Sequence, residues 1–85
     1  MINNISNEYD LYEGAEVLVD YKSQDNIDII DYFEESSNFE GYATLFNIDF
    51  DEGVFYIEDM EEYPISIDYL IVLNMRTNEY EYITI

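Results

Sequence analysis

Cysteine and histidine are both absent from these 85 residues, and their absence removes whole chemistries. Without a thiol there is no disulfide framework, no thiolate nucleophile and no thiolate metal site. Without an imidazole there is no Ser-His-Asp triad, no Cys-His dyad and no histidine-ligated metal. Glycine is scarce too. Gly14, Gly41 and Gly53 are scattered, so no glycine-rich phosphate loop is formed. Cations are scarcer still: Lys22 and Arg76 are the only two, too few to grip a nucleic-acid backbone, which the chain would instead repel. The longest apolar run, Tyr69 to Leu73, falls far short of the roughly 20 residues of a membrane span. MINNISNEYD at the start has neither the basic nor the apolar region of a secretion signal. These absences predict a soluble, cytoplasmic chain with no catalytic residue, no metal and no cofactor, in direct contact with neither nucleic acid nor membrane.

What is present is acid. Against the two cations stand 21 Asp and Glu, for a formal net charge of −19. A small domain needs a net charge of only about 2 to 8 in magnitude for solubility, and charge of one sign makes the compact state repel itself. High charge combined with low hydrophobicity would mean disorder. Here 48% of residues are hydrophobic, ten Tyr and five Phe among them, so the chain is expected to fold as one domain around a single small core. Halophilic adaptation accounts poorly for the excess, because it favours weakly hydrophobic surfaces.

The patterning is mostly that of strands. Residues 1–10 are polar and read as a loose lead-in, and Leu11-Tyr12-Glu13-Gly14 as a turn. AEVLVDY then alternates, with Ala15, Val17, Val19 and Tyr21 on one face. Residues 26–37 place Ile27, Ile30, Tyr32 and Phe33 near helical spacing, with Ser23 or Asp25 as the cap. IDIIDYF also fits a short strand; the helix is the preferred reading. Tyr42 to Phe50 alternates with Tyr42, Thr44, Phe46, Ile48 and Phe50 on one face, read as core. Asp51-Glu52-Gly53 suits a three-residue hairpin loop with a left-handed glycine, after which Val54 to Met60 returns as a strand. Pro64 marks the passage to a long strand over Ile65 to Met75. Arg76-Thr77-Asn78 turns the chain, with Asn in the left-handed position, into a last strand over Tyr80 to Ile85. The expected fold is α+β, a small antiparallel sheet or partly open barrel of about five strands with one short helix.

Paired carboxylates serve as acid and base in glycosidases, but among 21 acids a pair at any spacing arises by chance, and so short a chain has little room for a cleft. Asn47, Asp49, Asp51 and Glu58 match positions 1, 3, 5 and 12 of an EF-hand loop. Position 6 is Glu52 where that loop needs glycine, and the flanks alternate like strands. A hairpin explains the same residues better. As an array the carboxylates have another meaning. Residues i and i+2 of a strand point the same way about 6.6–6.8 Å apart, as in the rows Asn47 with Asp49 and Asp51, and Glu79 with Glu81, while Glu16 and Asp20 share a side at twice that spacing. DNA presents a phosphate every 3.4 Å or so along each strand. A rigid anionic array fits a groove that evolved for phosphates.

In small size, extreme acidity, β-rich pattern and lack of a catalytic set, the chain resembles the DNA-mimic inhibitors of phage and mobile elements, which include anti-restriction and anti-CRISPR proteins. The resemblance is one of composition across the whole chain, and it implies a basic nucleic-acid-binding protein or nuclease of the host as partner. Glu52, Glu58, Asp59, Glu61 and Glu62 around the central hairpin are the first candidates for contacts. Asp28, Asp31, Glu34 and Glu35 are the second. Two other readings stand beside this one: an antitoxin or immunity protein capping a basic nuclease toxin, and a non-inhibitory small-barrel interaction module. Tyr9, Tyr12, Tyr63, Tyr80 and Tyr82 are candidate anchors at such an interface, although for any one of them core packing with the hydroxyl at the surface is the preferred reading. The oligomeric state stays open, with the charge opposing self-association.

Overall fold

Alternation builds the sheet. Ala15, Val17, Val19 and Tyr21 are all buried, Glu16 is exposed, and Leu18 and Asp20 are half-buried, so the segment forms β1 (Glu16–Val19) with one face in a core. The computed structural model describes Tyr9 and residues 11–83. Apart from Tyr9, the expected loose lead-in lies outside them. The other elements are α1 (Ile27–Glu35), β2 (Tyr42–Asp49), β3 (Val54–Ile57), β4 (Ile65–Ser66), β5 (Leu70–Asn74) and β6 (Glu79–Tyr82). The strands form one antiparallel sheet in the order β4-β3-β2-β1-β5-β6. The chain is therefore α+β with a small open sheet, of six strands where about five were expected.

The additional strand comes from breaking the segment read as one long strand over Ile65 to Met75. Ile65 pairs with Phe55 on β3, whereas Leu70 pairs with Val19 on β1. One straight strand cannot reach both. The break is a 3₁₀ turn over Ile67–Tyr69, in which Ser66 Oγ accepts from the Asp68 N–H at 3.3 Å. In a flat sheet β4 and β5 would lie four strand spacings apart, about 19 Å. The four steps from Ser66 to Leu70 span at most about 14 Å, so the sheet must curl.

The curl has a local cause in β2. Its first half, Tyr42 to Thr44, pairs with β1, and its second half pairs with β3 across a bulge between Leu45 and Asn47. Phe46 is the extra residue there, and a bulge both bends the strand and shifts the side-chain phase. The expected common face of Tyr42, Thr44, Phe46, Ile48 and Phe50 is thereby split. Leu45 and Ile48 are buried, while Tyr42 and Phe46 are exposed. Gly41 enters β2 with φ +85°, and a Cβ there would collide with the Val19 carbonyl oxygen, whose own N–H donates to Gly41 O at 2.8 Å.

The segment 26–37 holds a helix, α1, as preferred from the sequence, but the cap is Asn26 and not Ser23 or Asp25. Asn26 Oδ1 accepts from the Asp28 N–H at 2.9 Å, worth about 1 kcal/mol. Gln24, buried, fixes the approach by donating to the carbonyls of Tyr21 and Asn26 and accepting from the Asn26 N–H. Ile29 and Phe33, four residues apart, enter the core beside Val17, Val19, Leu45, Phe55 and Leu70. Ile27 is left exposed. Phe33 stacks on Tyr21 with centroids 4.9 Å apart, and the Tyr21 hydroxyl, fully buried, has no hydrogen-bond partner among the described residues.

Candidate functional site

All nine carboxylates singled out from the sequence are exposed. On α1, Asp28, Asp31 and Glu35 follow one another at spacings of three and four, away from Ile29 and Phe33, with Glu34 beside them. Like charges at that spacing destabilise a helix by about 0.2–0.5 kcal/mol per pair. Glu34 and Glu35 also meet the negative end of the helix dipole, and the last turn holds no basic residue. The acids at the C-terminal end of α1 thus oppose the helix that carries them, whereas Asp28 in the first turn suits its dipole.

The first candidates, Glu52 apart, sit on the loop after β3. That strand ends at Ile57 and not at Met60, because Asp59 takes a left-handed conformation, φ +73°, and turns the chain. The Met60 N–H donates to Ile57 O at 3.1 Å and the Met60 side chain is buried. Glu58, Asp59, Glu61 and Glu62 are left outside, and Asp59, Glu61, Glu62 and Tyr63 border a shallow depression of about 300 Å³. The Tyr32 hydroxyl donates to Asp59 Oδ2 at 3.4 Å, linking this loop to α1. Burial, then the neighbouring Asp59 charge and that bond, push the Tyr32 phenol above its ordinary pKa.

Glu52 stands apart. It lies in the β2–β3 turn, with all of β3 between it and Glu58, about 20 Å along an extended chain. The turn is four residues, Phe50 to Gly53, where three were expected. Asp49 Oδ1 accepts from the N–H groups of Asp51 and Glu52 at 3.0 and 3.1 Å, and Gly53 closes it at φ +70°. The same geometry separates Glu58 from the other members of the EF-hand-like series. Among the described residues no group of three or more acids is placed to hold a metal ion.

Other carboxylates serve the fold. Glu81 accepts from the buried Asn74 Nδ2 at 3.2 Å and from the Tyr9 hydroxyl at 3.3 Å. Asp20 Oδ2 accepts from the Tyr82 hydroxyl at 2.6 Å, and that bond is the main cause of the raised pKa of Tyr82. Of the five tyrosines weighed as anchors, Tyr9 is buried and belongs to the core, the preferred reading for any one of them. Tyr12, Tyr63, Tyr80 and Tyr82 are exposed.

The sequence reading missed one feature, a row across four strands. Tyr42 stands opposite Leu18, Leu18 opposite Ile71, and Ile71 opposite Tyr82. Directly paired residues point to the same side of a sheet, here the side away from the buried Val17, Val19, Leu70 and Val72. The phase of Leu18 was legible in AEVLVDY, but its neighbours depend on which strands pair. No protein-family model, curated protein or solved structure matches this chain, so the residues themselves are the ground for a functional reading. Among the described residues no helix is long and apolar enough to cross a membrane.

Proposed function

We propose that the chain is a non-catalytic acidic inhibitor that occupies the nucleic-acid-binding surface of a basic protein, in the manner of a DNA mimic. One observation carries the reading. Eight of the nine candidate carboxylates lie exposed on α1 and on the 58–62 loop that Tyr32 ties to it, in a chain with two cations to set against 21 acids. Within the free protein Glu34 and Glu35 oppose the helix dipole and neighbouring carboxylates repel one another, and the stability of a small domain is only about 5–15 kcal/mol in total. Local preferences broken in this way mark functional surfaces. Opposing Lys and Arg of a phosphate-binding groove would relieve the repulsion on binding, and close charge pairs at interfaces couple by about 1.5–7 kcal/mol.

The mechanism is occlusion. The acidic face takes the place of the phosphate backbone, so the partner holds either this protein or nucleic acid. Association is fast at low salt and falls steeply as salt rises. The test is competition: a duplex oligonucleotide and this protein should displace each other from the partner, and neutralising Asp59, Glu61 and Glu62 together should weaken binding without unfolding the chain. A partner that keeps its nucleic acid while bound here would rule out occlusion, and a nuclease silenced in such a ternary complex would instead fit the immunity reading.

A further inference from the structure

The row Tyr42–Leu18–Ile71–Tyr82 gives this protein a second kind of surface, aromatic where α1 and the 58–62 loop are carboxylate. Tyr42 is 42% and Tyr82 52% exposed, with Leu18 and Ile71 half-buried between them. At the Tyr82 end lies a depression of about 150 Å³ bordered by Asp20, Lys22, Phe39, Glu40, Ile71 and Tyr82. Phe39 is 58% exposed there. Asp20 Oδ2 accepts from Tyr82, which orients the carboxylate and leaves Oδ1 for a donor from outside. Lys22 supplies the positive charge of the rim, with Nζ 5.8 Å from the Tyr21 ring centroid, against the two acids.

We propose that this depression receives an arginine side chain of the basic partner, so that the outer sheet face forms part of the docking surface. A planar guanidinium stacks on an aromatic ring while forking toward a carboxylate, a combination a lysine ammonium does not match. Phe39 and Tyr82 supply the rings, and Asp20 and Glu40 the acceptors. Charge decides between occupants: a second copy would bring −19 against −19, whereas an arginine-bearing surface is complementary. The inference rests on the proposed function and adds a selectivity that the carboxylate field by itself lacks.

The test titrates isotope-labelled protein with oligo-arginine and oligo-lysine peptides of equal length, followed by nuclear magnetic resonance. Oligo-arginine should bind about two- to fivefold more tightly for each stacked arginine, as a surface cation–π contact provides, and should shift Phe39, Ile71 and Tyr82. Phe39→Ala with Tyr82→Ala should abolish the preference while keeping the salt-dependent binding common to both peptides. Phe39→Ala alone, at an exposed loop position, should reduce it if the double variant does not fold. Asp59→Asn with Glu61→Gln and Glu62→Gln should weaken both peptides alike and keep the preference. Equal affinities with shifts confined to α1 and the 58–62 loop would overturn the inference and leave the occlusion reading standing. Occlusion fails separately if nucleic acid and this protein bind the partner together. Self-association through the outer face, detected by sedimentation, would also overturn the arginine assignment.

Discussion

Carboxylates near β6 and carboxylates on α1 and the 58–62 loop are one chemical group in two employments. Glu81 and Asp20 accept hydrogen bonds from Asn74, Tyr9 and Tyr82, joining β1, β5, β6 and the N-terminal side of the core. On α1, Asp31, Glu34 and Glu35 are exposed beside like charges, and Glu34 and Glu35 lie at the wrong end of a helix dipole. The first set closes the fold, and the acids at the C-terminal end of α1 strain it. The acid excess is therefore not something folding requires, and substitutions in the two sets should move stability in opposite directions.

The largest expected effect is at Glu81. Glu81→Ala leaves the buried Asn74 amide short of an acceptor, and stability measured by urea unfolding should fall by about 1–3 kcal/mol. An unchanged midpoint would mean that the two sets do not differ. Tyr21 supplies the complementary case, a buried hydroxyl with no described partner at all. Tyr21→Phe should raise stability by about 1 kcal/mol, because the stack on Phe33 is kept and an unpaired polar group is removed. Next comes the end of α1, where Glu34→Gln with Glu35→Gln should stabilise by about 0.3–1 kcal/mol and, in the same protein, weaken the partner's binding. A loss of stability there would place those residues in the first set.

The smallest effect is read by pH. Tyr82 has its pKa raised above 10.0, chiefly by the hydrogen bond to Asp20. A group whose pKa is higher in the folded than in the unfolded chain contributes stability that is complete below the unfolded value and is lost as pH climbs through the folded one. The Tyr82–Asp20 contribution is therefore present at neutral pH and disappears in the alkaline range above 10.0. Asp20→Asn should bring the Tyr82 titration, followed by tyrosinate absorbance, back toward its ordinary value.

How much of this was legible in the sequence depended on whether a feature is local. The phase of Val17, Val19 and Tyr21, the helix holding Phe33, and the left-handed Gly53 and Asn78 follow from neighbours a few residues away, and the structure keeps them. The bulge at Phe46 does not, because it comes from β2 serving two partners at once. That single insertion turned Tyr42 and Phe46 outward against an alternation that was clean on paper. The split of Ile65 to Met75 has the same origin, since its halves pair with β3 and β1. At the candidate site, the exposure of all nine carboxylates followed from residue type alone. The separation of Glu52 from Glu58, the tie from Tyr32 to Asp59 and the engagement of Glu81 depend on tertiary placement. Which of the five candidate tyrosines packs in the core is likewise tertiary: Tyr9 does, where it pairs opposite Asn74.

The most direct test of the central claim is a competition on the partner. With this protein immobilised and its basic partner captured from a cell extract, a short duplex oligonucleotide is added at constant salt. Occlusion predicts that duplex releases the partner in proportion to its own binding, and that Asp59→Asn, Glu61→Gln and Glu62→Gln together make release occur at lower duplex concentration. Retention of the partner with the duplex bound beside it would contradict the account.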